Sequence, residues 1–256
     1  MVVKFTSQNE SGVSEYQNIS KLAQEKYFDT LVEGIKIEEG WKIIDIGCGT
    51  GNNTFKLSKL VGNDGSVFGI DPITERIQKA RDVYQRPNLS FHEAFGNQAG
   101  QFEVEFDAAV SSTAMHFLSP KDKLATFKEI HKALKTDGLF MFNLNRLSLL
   151  THNKMDVIAG KLDCFENYYV AGTPSELEEI CHKAGFRNVR VVTKDFPIEF
   201  ENIDHLARWY AASMHNVGYE ETVSKMKRMH QEEYPNDSLD DPVTYVDQYF
   251  FCYCQK

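Results

Sequence analysis

The sequence has no long hydrophobic run, no basic tract and no C-x-x-C cysteine pair. No apolar stretch approaches eighteen residues and no apolar segment with basic flanks stands at the N-terminus, so we expect no membrane anchor and no export. Lys and Arg number 28 against 37 Asp and Glu, which gives a net charge of −9. Without a basic tract, this balance argues against nucleic acid and anionic membranes as partners.

Cysteine is sparse and scattered. The five residues are Cys48, Cys164, Cys181, Cys252 and Cys254. An odd number of cysteines without metal-ligand spacing predicts reduced thiols, a cytoplasmic location and no metal site.

Alternating strand-like and helix-like runs fill residues 42–196, which is typical of a doubly wound parallel α/β sheet. At 256 residues the chain is long enough for one large domain or a domain with a small cap. The predicted strands are 42–46, 66–70, 88–92, 105–111, 138–143, 188–195 and 245–254. The predicted helices are 52–61, 73–84, 121–135 and 174–184, with Gly138 and Gly185 as helix-ending glycines.

Two segments stand outside this alternation. Residues 13–35 predict an amphipathic helix pair, and residues 202–234 predict two helices inserted between the sixth and seventh strands. Inserted helices at the carboxyl edge of such a sheet usually cover the ligand crevice. We therefore predict a single domain with N-terminal helices over 1–38, a core over 39–200, a helical cap over 201–236 and a final strand within 237–256.

An acid and three glycines follow the first predicted strand. Asp45 precedes Gly47, Gly49 and Gly51, and such a loop lets a ligand lie against the backbone because glycine has no Cβ and tolerates positive φ. Asp71 ends the second predicted strand, at the distance where Rossmann-type proteins hold a ribose by its hydroxyls. The pattern predicts a cofactor that contains adenosine.

The spacing of the glycines narrows the choice of cofactor. Dinucleotide enzymes use G-x-G-x-x-G against a pyrophosphate, whereas this loop reads D-x-G-x-G-x-G, with an acid that would repel phosphate and suits an ammonium group. S-adenosylmethionine (SAM) has no phosphate and carries an amino group and a sulfonium cation. The loop resembles the first motif of class I SAM-dependent methyltransferases, and the resemblance covers residues 40–145. The alternative is a glycine-rich turn in another α/β protein.

The resemblance implies a Rossmann-like, seven-stranded, mostly parallel sheet whose last strand is antiparallel. It also implies SAM as cofactor and a small-molecule methyl acceptor. An acid and a small residue after the third strand usually touch the adenine in this family, and the end of the fourth strand faces the methionine portion. The implied cofactor contacts are Asp45, Gly47, Cys48, Gly49, Gly51, Asp71, Pro72, Glu93, Ala94, Phe95, Ser111 and Ser112.

His116 follows the fourth predicted strand in a stretch, Phe106 to Leu118, that resembles the F-D-x-v-x-s-x-x-x-l-H-w-l segment of small-molecule methyltransferases. The resemblance implies that His116 lines the boundary between the cofactor and acceptor pockets, where it could act as a base. A structural hydrogen-bonding role is the alternative, because one histidine makes no catalytic constellation.

The flanking segments resemble the trans-aconitate and juvenile hormone acid methyltransferases more weakly. Tyr16 and Gln24 stand at helical spacing near the N-terminus, and the resemblance implies that the glutamine reaches a substrate carboxylate. Trp209 and Tyr210 fall on the predicted cap helix. The implied acceptor-binding residues are therefore Tyr16, Gln24, His116, Trp209 and Tyr210, with His116 and Tyr16 as catalytic candidates. A polar helix surface and aromatic core packing are the alternatives.

Taken together, these patterns favour a small-molecule methyltransferase that acts on a carboxylate. Methyl transfer from a sulfonium needs orientation more than acid–base chemistry, which agrees with the absence of a second catalytic group in the sequence. N-methylation of a small amine or heteroaromatic acid is one alternative, and SAM binding without catalysis is another. Methylation of arsenic, RNA or protein is less favoured, and the oligomeric state stays open.

Overall fold

The computed structural model describes residues 23–145, 173–213 and 219–256. Within these ranges the α-helices are residues 23–33 (α1), Asn52–Leu60 (α2), Thr74–Val83 (α3), Pro120–Ala133 (α4), Pro174–Lys183 (α5), Ile203–Ser213 (α6) and Tyr219–Glu233 (α7). The strands are Lys42–Ile46 (β1), Ser66–Asp71 (β2), Leu89–Glu93 (β3), Phe106–Ser112 (β4), Leu134–Asn145 (β5), Arg187–Phe200 (β6) and Val243–Gln255 (β7). None of the described helices combines the length and the apolar character that crossing a bilayer requires.

The seven strands form one sheet in the order β3-β2-β1-β4-β5-β7-β6. The pairs β1–β2, β1–β4, β2–β3 and β4–β5 are parallel, whereas β7 runs antiparallel. The strand order reverses between β1 and β4, and in open α/β sheets ligands bind at the carboxyl ends of strands at such a switch point. The predicted fold is confirmed.

The central strands form because their side chains are apolar on both faces, as buried parallel strands require. Ile43 and Ile44 of β1 and Val110 of β4 are fully buried. Helix α4 begins after Ser119, whose hydroxyl accepts a hydrogen bond from Asp122 N, and Pro120 occupies the first turn, where a missing N–H costs little. These local signals place α4 directly after the end of β4.

The glycine prediction is confirmed at Gly185 and wrong at Gly138. Gly185 follows α5 with φ +104°, as a helix-ending glycine should. Helix α4, however, ends at Ala133, and Gly138 lies inside β5. The physical reason is that buried Leu134 already pairs with Phe106 of β4, at an irregularity in the register, so strand pairing ends the helix before the glycine is reached.

The chain divides into two compact units. The first contains residues 25–145, 173–194 and 250–256, with a core between the sheet and its helices. The described residues of the second unit include 195–213 and 219–249. There α6 and α7 pack around apolar side chains that include Phe200, Trp209 and Met226. The two helices predicted over 202–234 are confirmed, and their role as a cap stays a prediction. Of the predicted N-terminal pair, residues 13–22 lie outside the described ranges.

Candidate functional site

The loop that joins β1 to α2 is fastened to the end of β2. The amides of Gly47 and Cys48 both donate to Ile70 O, at 2.8 and 2.9 Å, and Gly49 N donates to Asp71 Oδ2 at 3.1 Å. Because the anchoring groups belong to the neighbouring strand, the loop is held at the carboxyl edge of the sheet.

Two of the loop glycines serve different purposes. Gly51 has φ +87°, and a Cβ there would stand 2.7 Å from the Phe91 ring, so this glycine permits close packing. Gly49 has φ +57°, and a Cβ there would meet no atom within 4 Å. The backbone at Gly49 therefore faces open space, where a ligand can approach the main chain closely. Open space beside the main chain at this loop agrees with the predicted SAM site.

Asp45 is 2% exposed at the end of β1, and it accepts a hydrogen bond from Thr54 Oγ1 at 2.7 Å. Its pKa is raised from 3.8 to about 7, chiefly by burial and also by the nearby charge of Asp71, while the hydrogen bond from Thr54 acts in the opposite direction. Asp71 has a cation nearby, because Arg76 Nη1 lies 3.7 Å from its Oδ2. Asp45 forms no ion pair within the described residues, so its carboxylate is the group here that suits a cationic ligand such as an ammonium or sulfonium group.

Asp71 is buried and both of its carboxylate oxygens accept backbone hydrogen bonds, Oδ2 from Gly49 N and Oδ1 from Ile73 N at 3.0 Å. Each carboxylate oxygen can accept a second bond, which leaves capacity for two ribose hydroxyls. Asp71 pairs in register with Glu93 of β3, whose Oε2 accepts from Thr74 Oγ1 at 2.8 Å. The predicted ribose and adenine acids therefore lie side by side.

The residues after Glu93 present an apolar surface. Ala94 is buried, and its N–H donates to Asp71 O at 3.2 Å. Phe95 leaves half of its side chain, 50%, exposed while its N–H donates to Gln98 Oε1. Pro72 lies partly buried at the same edge. An exposed ring beside a buried alanine suits a flat, aromatic adenine.

The two serines at the end of β4 differ in availability. Ser111 is fully buried, and its hydroxyl donates to Ile46 O at 2.8 Å, which joins β4 to β1. Ser112 is partly exposed, and its Oγ lies 3.5 Å from Asn143 Oδ1. Ser112 is therefore the better candidate for the predicted contact with the methionine portion. Ser111 instead links β4 to β1 through its hydrogen bond.

Sequence reasoning missed Asn143. This fully buried side chain accepts from Thr113 N at 2.8 Å and donates to Tyr27 O of α1 at 3.2 Å. Thr113 has φ 59°, a conformation that non-glycine residues rarely adopt, and the bond from its N–H to Asn143 stabilises it. The only sequence signal was an amide inside the otherwise apolar strand Leu139–Leu144.

His116 lies on a short 3-10 helix, Met115–Phe117, that follows β4. It is 2% exposed, and burial lowers its pKa from 6.5 to about 3, with the charge of Lys123 acting in the same direction. The imidazole is therefore neutral at physiological pH. A base with so low a pKa accepts protons poorly, so the predicted basic role is not favoured by this environment.

The other acceptor candidates are described only in part. Tyr16 and the Tyr210 side chain lie outside the described part, and Gln24 is exposed on α1. Trp209 is 9% exposed and packs against Phe200 and Tyr245, with ring centroids 5.4 and 5.7 Å apart. Its surroundings agree with the alternative of core packing.

The cysteines of the described part are buried free thiols. Cys48, in the glycine loop, packs with Ile77, Ala80 and Phe91, and burial raises its pKa. The side chain thus anchors the loop to the core, and any contact with a cofactor would come from its backbone. No group of three or more His, Cys, Asp or Glu residues in the described ranges could hold a metal ion.

Comparison with known proteins also indicates a methyltransferase domain. Residues 43–138 match the family described as a methyltransferase domain. The arsenite methyltransferase of Mus musculus is 27% identical over 198 residues, which span 73% of this chain and 51% of that protein. The carboxy-S-adenosyl-L-methionine synthase of Campylobacter fetus subsp. fetus is 24% identical over 73% of this chain and 88% of that protein.

Solved structures show the same fold. The YcgJ protein of Bacillus subtilis has a TM-score of 0.66 at 13% identity, with 91% of this chain and 98% of that chain covered. At this identity the likeness concerns the fold alone. The chain spans only about half the length of the mouse arsenite methyltransferase. The comparison therefore indicates a shared domain and does not identify the methyl acceptor.

Proposed function

We propose that this chain is a class I SAM-dependent methyltransferase with SAM as its cofactor, and that it methylates the carboxylate of a small molecule. The class rests on the matched domain, the methyltransferase relatives and the fold. The acceptor rests on one observation of the site, which is the burial of His116 and its lowered pKa.

The proposed cofactor pocket follows the carboxyl edge from β3 to β4. Asp71 and Glu93 would bind the ribose and the adenine, the Gly49 backbone would border the ligand, and Asp45 would face the amino group. SAM, when bound, supplies a methyl group on a positively charged sulfur. The chain's own residues hold that group in place and exclude water from it.

A carboxylate acceptor needs no base. One carboxylate oxygen forms a bond to the methyl carbon while the bond from that carbon to sulfur breaks, and the products are a methyl ester and S-adenosylhomocysteine (SAH). No proton is released. An amine acceptor, by contrast, is protonated at neutral pH and must lose a proton before it can attack. With a pKa of about 3, His116 is poorly suited to remove that proton.

The flanking segments resemble the trans-aconitate and juvenile hormone acid enzymes, and this resemblance supports a carboxylate acceptor. It implies that Gln24 reaches the substrate carboxylate and that Tyr16 lies in the acceptor site. The name of the mouse relative points instead to arsenite. Arsenic binds thiolates, and burial raises the pKa of Cys48, Cys252 and Cys254 well above the ordinary value. These three thiols are therefore protonated at neutral pH, which favours the carboxylate over arsenite.

A screen with methyl-labelled SAM tests the proposal. Small carboxylic acids, their matched amides, small amines and arsenite are incubated separately with the enzyme. We expect labelled product only with acids, and we expect alkali to release the label as methanol because esters hydrolyse. Alkali-stable label on an amine, or methylated arsenic, would overturn the carboxylate assignment. The Gly49→Val variant serves as the control without cofactor binding.

A further inference from the structure

Thr113, the first residue after β4, has a backbone conformation that its side chain disfavours. Among the described residues, positive φ outside glycine occurs at Thr113, Asp137 and Asn188, with values of 59°, 64° and 51°. Short polar Asp and Asn side chains tolerate this left-handed region, whereas a β-branched residue is a genuine outlier there. Such a conformation costs free energy, and it persists only where the surrounding structure holds it, often at functional sites.

Asn143 provides the hold on Thr113. The two residues lie next to each other in the sheet, because Ser112 pairs in register with Asn143. The fully buried Asn143 side chain accepts from Thr113 N at 2.8 Å through Oδ1. Its Nδ2 donates to Tyr27 O at 3.2 Å and to Ser112 Oγ at 3.3 Å. Because both ends of the amide have partners, Oδ1 stays directed at Thr113.

The turn that begins at Thr113 packs against the glycine loop. A Cβ built on Gly47 would stand 2.5 Å from Ala114 Cβ, so Ala114 lies directly against the main chain of Gly47. Gly47 N also donates to Ile70 O at 2.8 Å. Gly47 is thus held both by the end of β2 and by the turn after β4. The conformation of Thr113 sets where its neighbour Ala114 lies.

We propose that Asn143 is a positioning residue of the cofactor site, which holds Thr113 in the left-handed conformation so that Ala114 keeps Gly47 in the geometry that binds SAM. Asn143 acts through Thr113 and Ala114, and it needs no contact of its own with the cofactor. The proposal rests on the part of the proposed function that makes SAM the cofactor, and it is independent of the methyl acceptor.

Loss of Asn143 should lower the affinity for the cofactor without removing any cofactor contact. Thr113 then relaxes to an ordinary negative φ in most molecules, and Ala114 moves away from Gly47. The cofactor binds only the fraction of molecules that keep the strained turn, so the apparent affinity falls by that fraction.

Replacement of Asn143, alone and together with Thr113→Gly, tests this mechanism. Calorimetry measures SAH binding to the wild type, to the two single variants and to the double variant. We expect Asn143→Leu to weaken SAH binding about tenfold, because Thr113 N loses its acceptor. Thr113→Gly should bind normally, since glycine adopts this φ without a Cβ penalty. The double variant should recover most of the lost affinity, because a glycine needs no residue to hold it there.

Thermal unfolding distinguishes this role from a purely structural one. Asn143→Leu should lower the unfolding temperature with either residue at position 113, because Thr113 N or its glycine equivalent and Tyr27 O both lose a partner. A purely structural residue would lower that temperature and leave the SAH affinity of the folded protein unchanged. Equal SAH affinity of the wild type and Asn143→Leu, or no recovery in the double variant, would overturn the proposal.

Ala114→Val tests the contact with Gly47 while Asn143 stays in place, and it serves if Asn143→Leu does not fold. The larger side chain crowds Gly47 and should weaken SAH binding. The matched change Ala125→Val, at an exposed position of α4, should not. Normal SAH binding by Ala114→Val would overturn the proposal.

None of these measurements uses methyl transfer. A failed acceptor screen with the expected SAH affinities would therefore reject the carboxylate assignment and keep the role of Asn143. Absence of SAH binding by the wild type would overturn both.

Discussion

Burial shifts pKa values in opposite directions at the proposed cofactor end, near β1 and β2, and at the proposed acceptor end, after β4. Near β1 and β2, Asp45 is buried beside another acid, and its pKa rises to about 7. After β4, His116 is buried beside a lysine, and its pKa falls to about 3. Burial penalises the charged form in both places, which drives an acid and a base towards neutrality. The comparison predicts opposite pH dependences for the stability that the two residues contribute.

The largest expected effect is a loss of cofactor binding. Gly49→Val should weaken the binding of SAM and SAH by at least about 100-fold, because the added side chain fills the open space beside the backbone. Calorimetry measures this loss. Gly40→Val is the matched control, since Gly40 also has positive φ and no atom within 4 Å of an added Cβ. Equal loss in both variants would show that backbone strain, and not occupation of the pocket, is responsible.

Asp45 should make the ligand-free protein less stable as pH rises. Its pKa is 3.8 when unfolded and about 7 when folded, so the folded state holds a proton that the unfolded state lacks between these values. The protonated Asp45 side chain therefore stabilises the folded state fully below pH 3.8, and this contribution is lost as pH rises through about 7. Between pH 5 and 7 the loss is about 2 kcal/mol.

Urea unfolding of the wild type and Asp45→Asn at pH 5 and pH 7 measures this difference. The variant cannot ionise, so it should lack the loss with rising pH while it binds SAM more weakly. An identical pH dependence in both proteins would mean that Asp45 does not titrate in this range.

Asp71→Ala should weaken SAM binding by roughly 1.5–3 kcal/mol, the scale of lost hydrogen bonds to a charged group. Part of the effect comes from the loop, because Gly49 N loses its acceptor. Asp64→Ala, an exposed acid just before β2, is the control and should bind normally. Unchanged affinity of Asp71→Ala would show that the ribose is held elsewhere.

His116 should make folding stability change with pH in the direction opposite to Asp45. Its pKa is lowered on folding, so its contribution to stability is present above pH 6.5 and is lost as pH falls towards 3. Between pH 6.5 and 5 this loss is about 2 kcal/mol. In the wild type it opposes the slope from Asp45. His116→Asn should therefore show stability that falls steadily from pH 5 to 7 in the same urea experiment, and a slope like that of the wild type would contradict the lowered pKa.

The two regions also differ in how far they could be predicted. The proposed cofactor end depends on residues that lie close together along the chain, so Asp45, Gly49 and Asp71 could be proposed from their spacing alone. The bounds of β1 to β4 were likewise predicted to within one residue, because buried parallel strands appear as continuous apolar runs. The error at Gly138 arose where a strand pairing outweighed a local helix-ending signal.

The region after β4 depends on contacts between distant segments. Lys123 lies on the apolar face of α4 and is only 4% exposed, and only the structure shows this burial. Asn143 acquires its role from Thr113 and from Tyr27, 116 residues away in the sequence. No local pattern contains such a contact.

The sequence by itself determined the class of fold, the glycine loop and the kind of cofactor, because hydrophobic periodicity, glycine conformation and the sign of a charge are properties of short segments. Only the tertiary structure decided which polar groups are buried and beside what. Burial and neighbouring charge set the pKa values of Asp45 and His116 in opposite directions, and both causes arise only when distant strands and helices pack together.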